Sequence, residues 1–286
     1  MSRKDKKESQ EYWHLNPMSY FAEKLGEDFF VATDRKFYKW HFFLCEDGRY
    51  EYRDNKYVTH FDTWEPLLDS PPLSKFINFD ALSGKKILEV GVGVGVLFAY
   101  LCKYGSAYGI DFAPSAVSLT RQRLAKFKLD GSVSLTDAEN IPFKSGTFDC
   151  VVSWGVLHHT PDTPKAINEI WRCLKPGGIA YVMLYNKLSV AFLSFVIRDL
   201  FRGRVYDGTF TADCHDLEGK GAPISKAYTK REVRSLFKNF SDVVIQVDGT
   251  PGMLVVPSIV GHIMPMWLKQ QLRKKIGWFL LIKAHK

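Results

Sequence analysis

Lys86-Ile-Leu-Glu-Val-Gly91-Val-Gly93-Val-Gly95 sets a short apolar run directly against a loop of alternating glycines. The run reads as a buried strand, and the glycines let the chain turn tightly and bring its backbone close to a ligand. A helical pattern follows near residues 94–103, and Asp111 closes the next β-branched run. The same alternation continues outward. Strands are predicted at 86–90, 107–110, 132–135, 148–153 and 179–184, with helices near 94–103, 114–127 and 163–174. Pro114 suits the first turn of the second helix, and Pro176-Gly177-Gly178 reads as a stop after the third. Alternating strands and helices specify an α/β fold with a doubly wound, mainly parallel sheet.

On either side of this core the composition changes. Residues 1–10 carry charge without an apolar stretch, which predicts a frayed, disordered terminus and no secretory signal. Residues 11–80 are dense in aromatics, including Trp13, Tyr20, Phe42 and Phe43, and read as a cap, with a hairpin turn at Asp47-Gly48. Residues 81–286 form a single α/β domain in this reading. After the core, 229–240 is helical, and 243–247 and 278–284 are further strands. The apolar stretch ending at Trp267 is interrupted by Pro257 and Pro265 and is too short to span a bilayer. Six basic and no acidic residues follow from Lys269 onward, within a net charge of +8. A core insertion followed by a solvated basic turn accounts for this region, with a peripheral membrane contact through the basic segment as the second reading. Five cysteines without metal-ligand spacing suit a reducing, cytoplasmic setting and predict no metal site.

The glycine loop becomes specific through its surroundings. Asp111 stands where a carboxylate in this architecture accepts hydrogen bonds from ribose hydroxyls. A dinucleotide site would place its third glycine at position 96, but Val96 stands there. S-adenosylmethionine (SAM) carries no pyrophosphate; it needs a ribose carboxylate, acceptors for an ammonium group and a slot for adenine, and Glu89 and Asp137 suit parts of that task. The blocks Ile87–Gly95, Gly109-Ile-Asp111, Asp137-Ala-Glu139-Asn140-Ile-Pro-Phe143, Phe148-Asp149, Ser153-Trp-Gly-Val-Leu-His158-His159-Thr-Pro-Asp162 and Leu174-Lys-Pro-Gly-Gly178 together resemble the class I SAM-dependent methyltransferases. They are most similar to the bacterial type 11 group, which includes ubiquinone/menaquinone C-methyltransferases. The resemblance implies a Rossmann-like seven-stranded sheet whose last strand is antiparallel. It also implies SAM as cofactor, with S-adenosylhomocysteine as product. Residue by residue, it assigns Glu89, Gly91 and Gly93 to the methionine part of SAM and Asp111 to the ribose. Asp137 falls to the adenine amino group, Phe112 to the adenine face, the Ala138 amide to a ring nitrogen, and Ser153 and Trp154 to the border of the methionine moiety.

Methyl transfer from a sulfonium is an in-line displacement, so the protein chiefly aligns the reactants and excludes water. A base helps only some acceptors. His158 and His159, after the fourth strand, are the candidates, with Tyr185 beside them. The same pair also has a structural role in the resembled family, the second histidine bonding the loop before the Thr163 helix. Asn186, Tyr12, Trp13 and Tyr20 are candidates for holding the acceptor, expected to be a small, partly hydrophobic molecule. Thiolate chemistry through Cys45, Cys173 and Cys214 is weighed and set aside, since Cys173 lies on an apolar helix face. Nucleic acid is not expected as substrate: Ser153-Trp154-Gly155 replaces the Asn/Asp-Pro-Pro-Tyr/Phe signature of base N-methylation, and Ser70-Pro71-Pro72 precedes the cofactor motif. The alternative from another class is a non-catalytic SAM-binding or interaction protein on the same fold.

Overall fold

In a computed structural model of the chain, the residues described are 3–15, 52–53, 56–57, 76–201, 203, 206, 208–210, 222–248 and 266–286. The catalytic core follows the expected alternation. After helix α1 (Arg3–Leu15) and two antiparallel two-residue strands, β1 (Tyr52–Arg53) and β2 (Lys56–Tyr57), come β3 (Lys86–Val90), α2 (Val96–Tyr104), β4 (Ser106–Asp111), α3 (Pro114–Phe127), β5 (Ser132–Leu135) and β6 (Phe148–Trp154). Then follow α4 (Thr163–Cys173), β7 (Leu174–Asn186), α5 (Val190–Phe201), β8 (Ala227–Tyr228), α6 (Lys230–Leu236), β9 (Ser241–Asp248), α7 (Met266–Ile276) and β10 (Phe279–His285).

The large sheet runs β5-β4-β3-β6-β7-β10-β9, with the two-residue β8 pairing onto the end of β7. Strands β5 to β7 pair in parallel, while β10 runs antiparallel to both β7 and β9. The seven-stranded order with a reversed last strand is thus present, and β8 is an addition to it. Alternation along β3 explains the double winding: Ile87 points into a core with Phe98, Leu101, Val117 and Phe195 of α2, α3 and α5, whereas Leu88 and Val90 face Ile167, Ile170 and Val233 of α4 and α6. Helix α4 buries Ala166, Ile167, Ile170 and Cys173 along one stripe. Each fully buried aliphatic side chain there contributes about 2 kcal/mol of transfer free energy.

Local chemistry sets the helix ends. Asp162 caps α4 by accepting the Lys165 N–H at 3.0 Å. Thr229 and Glu232 form a reciprocal capping box on α6: the Thr229 hydroxyl accepts the Glu232 N–H and the Glu232 carboxylate accepts the Thr229 N–H.

Several expectations are corrected. The terminus expected to be frayed is helical over Arg3–Leu15, because Lys6, Gln10 and Trp13 find partners on the domain. The basic segment read as a solvated turn contains helix α7, and its Arg273 grips Asp248 at the end of β9 through both carboxylate oxygens. Helix α4 stops at Cys173, one residue before the expected end and ahead of the Pro176-Gly177-Gly178 stop, and Leu174–Gly178 already belong to β7; a register shift beside β6 accommodates this glycine-containing start, and Gly177 N–H donates to the Lys286 carbonyl. The helix expected over 229–240 ends at Leu236, and α5 lies where no element was expected. The Asp47-Gly48 turn, Tyr20, Cys45 and Cys214 lie outside the described residues, as does most of the 11–80 cap. Among the described residues, no helix is long and apolar enough to cross a membrane.

Candidate active site

Strand order reverses between β3 and β6, since β3 connects onward to β4 on one side and β6 continues on the other. Ligands in open α/β sheets bind beyond the carboxyl ends of the strands at such a switch point. Glu89 and the glycine loop leave β3 here, and Ser153 and Trp154 end β6 alongside.

The three loop glycines all have positive φ. Their surroundings differ. A Cβ on Gly91 would stand 2.1 Å from Val156 Cγ2, so the residue is glycine for packing; a Cβ on Gly93 would meet nothing within 4 Å, so that backbone faces open space. Asp111 fixes the loop: one carboxylate oxygen accepts the Gly93 N–H and the other the Ala113 N–H, both at 2.9 Å. Burial raises the Asp111 carboxyl above its ordinary range, although these backbone donors pull the other way. Ser153, wholly buried, donates to the Val90 carbonyl at 3.0 Å and ties β6 to β3.

Glu89 is 2% exposed, and its Oε2 has no hydrogen-bond partner among the described residues. Burial first, and then the nearby Asp111 carboxylate, hold its carboxyl well above the usual range. The Trp154 indole N–H is likewise buried without an acceptor. An unsatisfied buried carboxylate oxygen beside an open glycine backbone suits a cationic ligand with polar edges, and SAM carries both an ammonium and a sulfonium. The residues fit this cofactor.

Farther along the rim, Asp137 accepts the Glu139 N–H at 2.8 Å, the Asn140 amide at 3.2 Å and the Lys6 ammonium at 2.7 Å. Lys6 also pairs with Glu139, whose second oxygen accepts the Asp162 N–H at 2.7 Å. Burial pushes the Asp137 carboxyl up, but Lys6 and the backbone donor outweigh it and leave the group below its ordinary value. The Phe112 carbonyl accepts from the Gln10 amide at 2.9 Å. Ala138 is buried in the core beside Ile110 and Ile141.

Past β6 and β7 the site turns aromatic. The Tyr185 ring lies 3.7 Å from that of His158 on one side and is stacked at 4.1 Å on Trp278 on the other. Phe210 and Phe195 extend the cluster. His159 meets Trp13 edge-on at 4.9 Å and His158 at 4.3 Å. The expected bond from the second histidine to the loop before α4 is replaced: His159 Nδ1 lies 2.7 Å from the Ile224 carbonyl, in the segment leading to β8. A carbonyl only accepts, so Nδ1 carries the proton and, in the neutral ring, the lone pair sits on Nε2. Burial pushes the pKa of His159 down to about 4, against a weaker opposing effect of that hydrogen bond.

One of the sequence candidates proves to be a brace. Asn186 donates to the Gly277 carbonyl at 2.8 Å and accepts the Leu188 N–H at 3.0 Å, so both ends of its amide serve the backbone rather than an acceptor. Cys173 is buried on α4, and burial raises its thiol to about 11. Sequence reasoning missed Lys6, Gln10 and Trp278 as site residues. Only a helical spacing of 6, 10 and 13 could have suggested that the first and third work with Gln10.

Known proteins resemble this chain over its central part. The family described as "Methyltransferase domain" matches residues 88–182. A ubiquinone biosynthesis O-methyltransferase of Pseudomonas aeruginosa is 32% identical over 160 residues, covering 54% of this chain and 68% of that one. Phosphoethanolamine N-methyltransferase 2 of Caenorhabditis elegans is 34% identical over 112 residues, which span 38% of this chain and only 25% of the relative. A crystal structure of a SAM-dependent methyltransferase from Methanosarcina mazei superposes with a TM-score of 0.53 at 21% identity, covering 76% of this chain and 97% of that chain, a likeness of fold. The chain belongs to the class I SAM-dependent methyltransferases, in the type 11 group. Its cofactor is S-adenosylmethionine.

Proposed function

We propose that this enzyme methylates a small, flat, partly hydrophobic acceptor carrying a hydroxyl group. The observation that carries the proposal is the aromatic cluster of His158, Tyr185 and Trp278, which adjoins the ends of β6 and β7 and has Trp13 against His159. Rings already packed on one another build a rigid apolar wall, against which a planar molecule lies at little entropic cost and from which water is kept away. The O-methyltransferase relative supports the choice of a hydroxyl.

When bound, SAM supplies an electrophilic methyl group on a sulfonium. In this reading Glu89 faces the positive charge of its methionine part, Gly93 lets the ligand approach the backbone, Asp111 holds the ribose and Asp137 the adenine amino group. Phe112 lies along the adenine, the Ala138 amide meets the ring, and Ser153 and Trp154 border the methionine moiety. Tyr185 and His158 orient the acceptor ring, with Tyr12 and Trp13 closing over it. His159 is neutral at pH 7 and accepts a hydrogen bond through Nε2. A pKa near 4 makes it a weak base at that pH, so its part is to orient an acceptor hydroxyl rather than to strip its proton. An acceptor that is itself acidic, such as a phenol, matches that arrangement.

Purified protein, SAM and a panel of phenols, hydroquinones, aliphatic alcohols and small amines would test this, with S-adenosylhomocysteine formation as the readout. Turnover confined to the phenolic compounds is the expected result. Turnover of polar amines alone would overturn the acceptor assignment.

A further inference from the structure

Helix α1 touches the domain through one face. Lys6, Gln10, Trp13 and His14 recur at helical spacing, while Lys7 and Glu11 are exposed. Three of its contacts land around the end of the site assigned to adenosine. Lys6 bridges Asp137 and Glu139, Gln10 donates to the Phe112 carbonyl, and the Ser115 N–H at the start of α3 donates to His14 Nδ1 at 3.2 Å. Beside His14, Trp13 reaches in the other direction and rests on His159. The helix therefore touches both halves of the site at once.

The manner of attachment is informative. Among the described α1 side chains, those of residues 6–15, only Ser9 is fully buried, and Leu15 is 68% exposed. A helix needed simply to complete the core would be fixed by an apolar stripe, as α4 is. Among its described contacts, polar ones dominate: the Lys6 and Asp137 side chains are 32% and 26% exposed, so water reaches that pair, while the second partner of Lys6, Glu139, is 3% exposed. A helix of this length is marginal without its docking surface, so these contacts hold it in place and breaking them frees it.

We propose that α1 is a latch across the adenosine end of the cofactor site. The Lys6 bridge to Asp137 and Glu139 and the Gln10 bond to Phe112 keep it shut, and cofactor enters and product leaves only while these contacts are broken. The proposal rests on the cofactor placement given above. It adds a role for Lys6 and Gln10 as residues that set exchange rates rather than affinity: both states of the site, filled and empty, pass through the same opened latch, so weakening it speeds entry and exit alike.

The test is stopped-flow measurement of S-adenosylhomocysteine association and dissociation on the full chain, for the wild type, Lys6→Met, Lys6→Arg and Gln10→Ala, with hydrogen exchange of the residue 3–15 amides in the ligand-free proteins. Lys6→Met is expected to raise both rate constants roughly tenfold, the factor corresponding to about 1.4 kcal/mol, with the dissociation constant nearly unchanged. Exchange of the α1 amides should rise in parallel, Lys6→Arg should restore wild-type rates, and added salt should speed the wild type but not Lys6→Met. Unchanged rates in Lys6→Met with normal affinity would overturn the latch and leave the cofactor site standing. A rise in dissociation alone would also overturn it, marking Lys6 as an ordinary contact. Failure of the wild type to bind S-adenosylhomocysteine would overturn the cofactor placement itself.

Discussion

The two halves of the site are built on opposite principles. The half we assign to the cofactor, at the ends of β3, β4 and β5, consists of carboxylates and glycines close together in sequence, and most of its polar groups are held by neighbouring backbone: Asp111 by Gly93 and Ala113, Asp137 by Glu139. The half we propose for the acceptor is made of rings drawn from across the chain, with Trp13, His158, Tyr185 and Trp278 meeting only in three dimensions. Backbone-anchored carboxylates make a rigid receptor for one fixed ligand. Packed rings have no such anchors, so the acceptor half is shaped by volume and is free to differ among enzymes that share the cofactor.

The sharpest way to break this division is Asp111→Ala. It removes the strap on the Gly93 N–H together with the assigned ribose acceptor, and calorimetric titration should show SAM and S-adenosylhomocysteine affinity falling by roughly a hundredfold or more. The loop glycines separate packing from binding. Gly91→Ala drives a Cβ into Val156 at a left-handed φ of 84°, so thermal melts should show a loss of about 3 kcal/mol of stability. Gly93→Ala meets no protein atom and should cost more in cofactor affinity than in melting temperature. On the other side, Tyr185→Leu should leave SAM affinity within about twofold, an interaction in the acceptor half alone, while raising KM for the acceptor roughly tenfold. Equal losses of SAM affinity and acceptor binding would dissolve the distinction between the halves.

Smaller effects arise from titration, and they run in opposite directions. The Glu89 carboxyl is raised by burial, so the ligand-free fold holds its proton above the ordinary value of 4.5. Its contribution to stability is complete below that value and is lost as pH rises through the folded pKa. A cationic cofactor favours the ionised form, so SAM binding should strengthen with pH across that window and release a proton. Calorimetry in buffers of different ionisation enthalpy reads this, and Glu89→Gln should abolish it. His159 is depressed from 6.5 to about 4, so its contribution is present above 6.5 and lost as pH falls toward 4. Melting temperatures measured over that interval should fall less steeply in His159→Gln.

Legibility in the sequence followed the same division. The strands from β3 to β7, the strand β10, Pro114 opening α3 and Asp111 at the end of β4 all announce themselves through local periodicity and punctuation, whereas the antiparallel direction of β10 was implied only by the family resemblance. Helix α1 did not: its residues are so polar that they read as a frayed end, and what makes them helical is a dock 131 residues away at Asp137. Asn186 looked available for an acceptor because an amide beside a tyrosine on the site rim invites that reading, yet the turn into α5 and the Gly277 carbonyl engage both of its ends.

The sequence by itself determined the fold class, the cofactor and the glycine-and-carboxylate frame that receives it, because those depend on side chains within a strand, a turn and a helix of one another. Only the tertiary structure decided that Lys6 lies on Asp137, that Trp278 stacks on Tyr185 and that His159 stays neutral. Each of these depends on burial and on contacts between distant segments, and neither quantity can be read from residues in order along the chain.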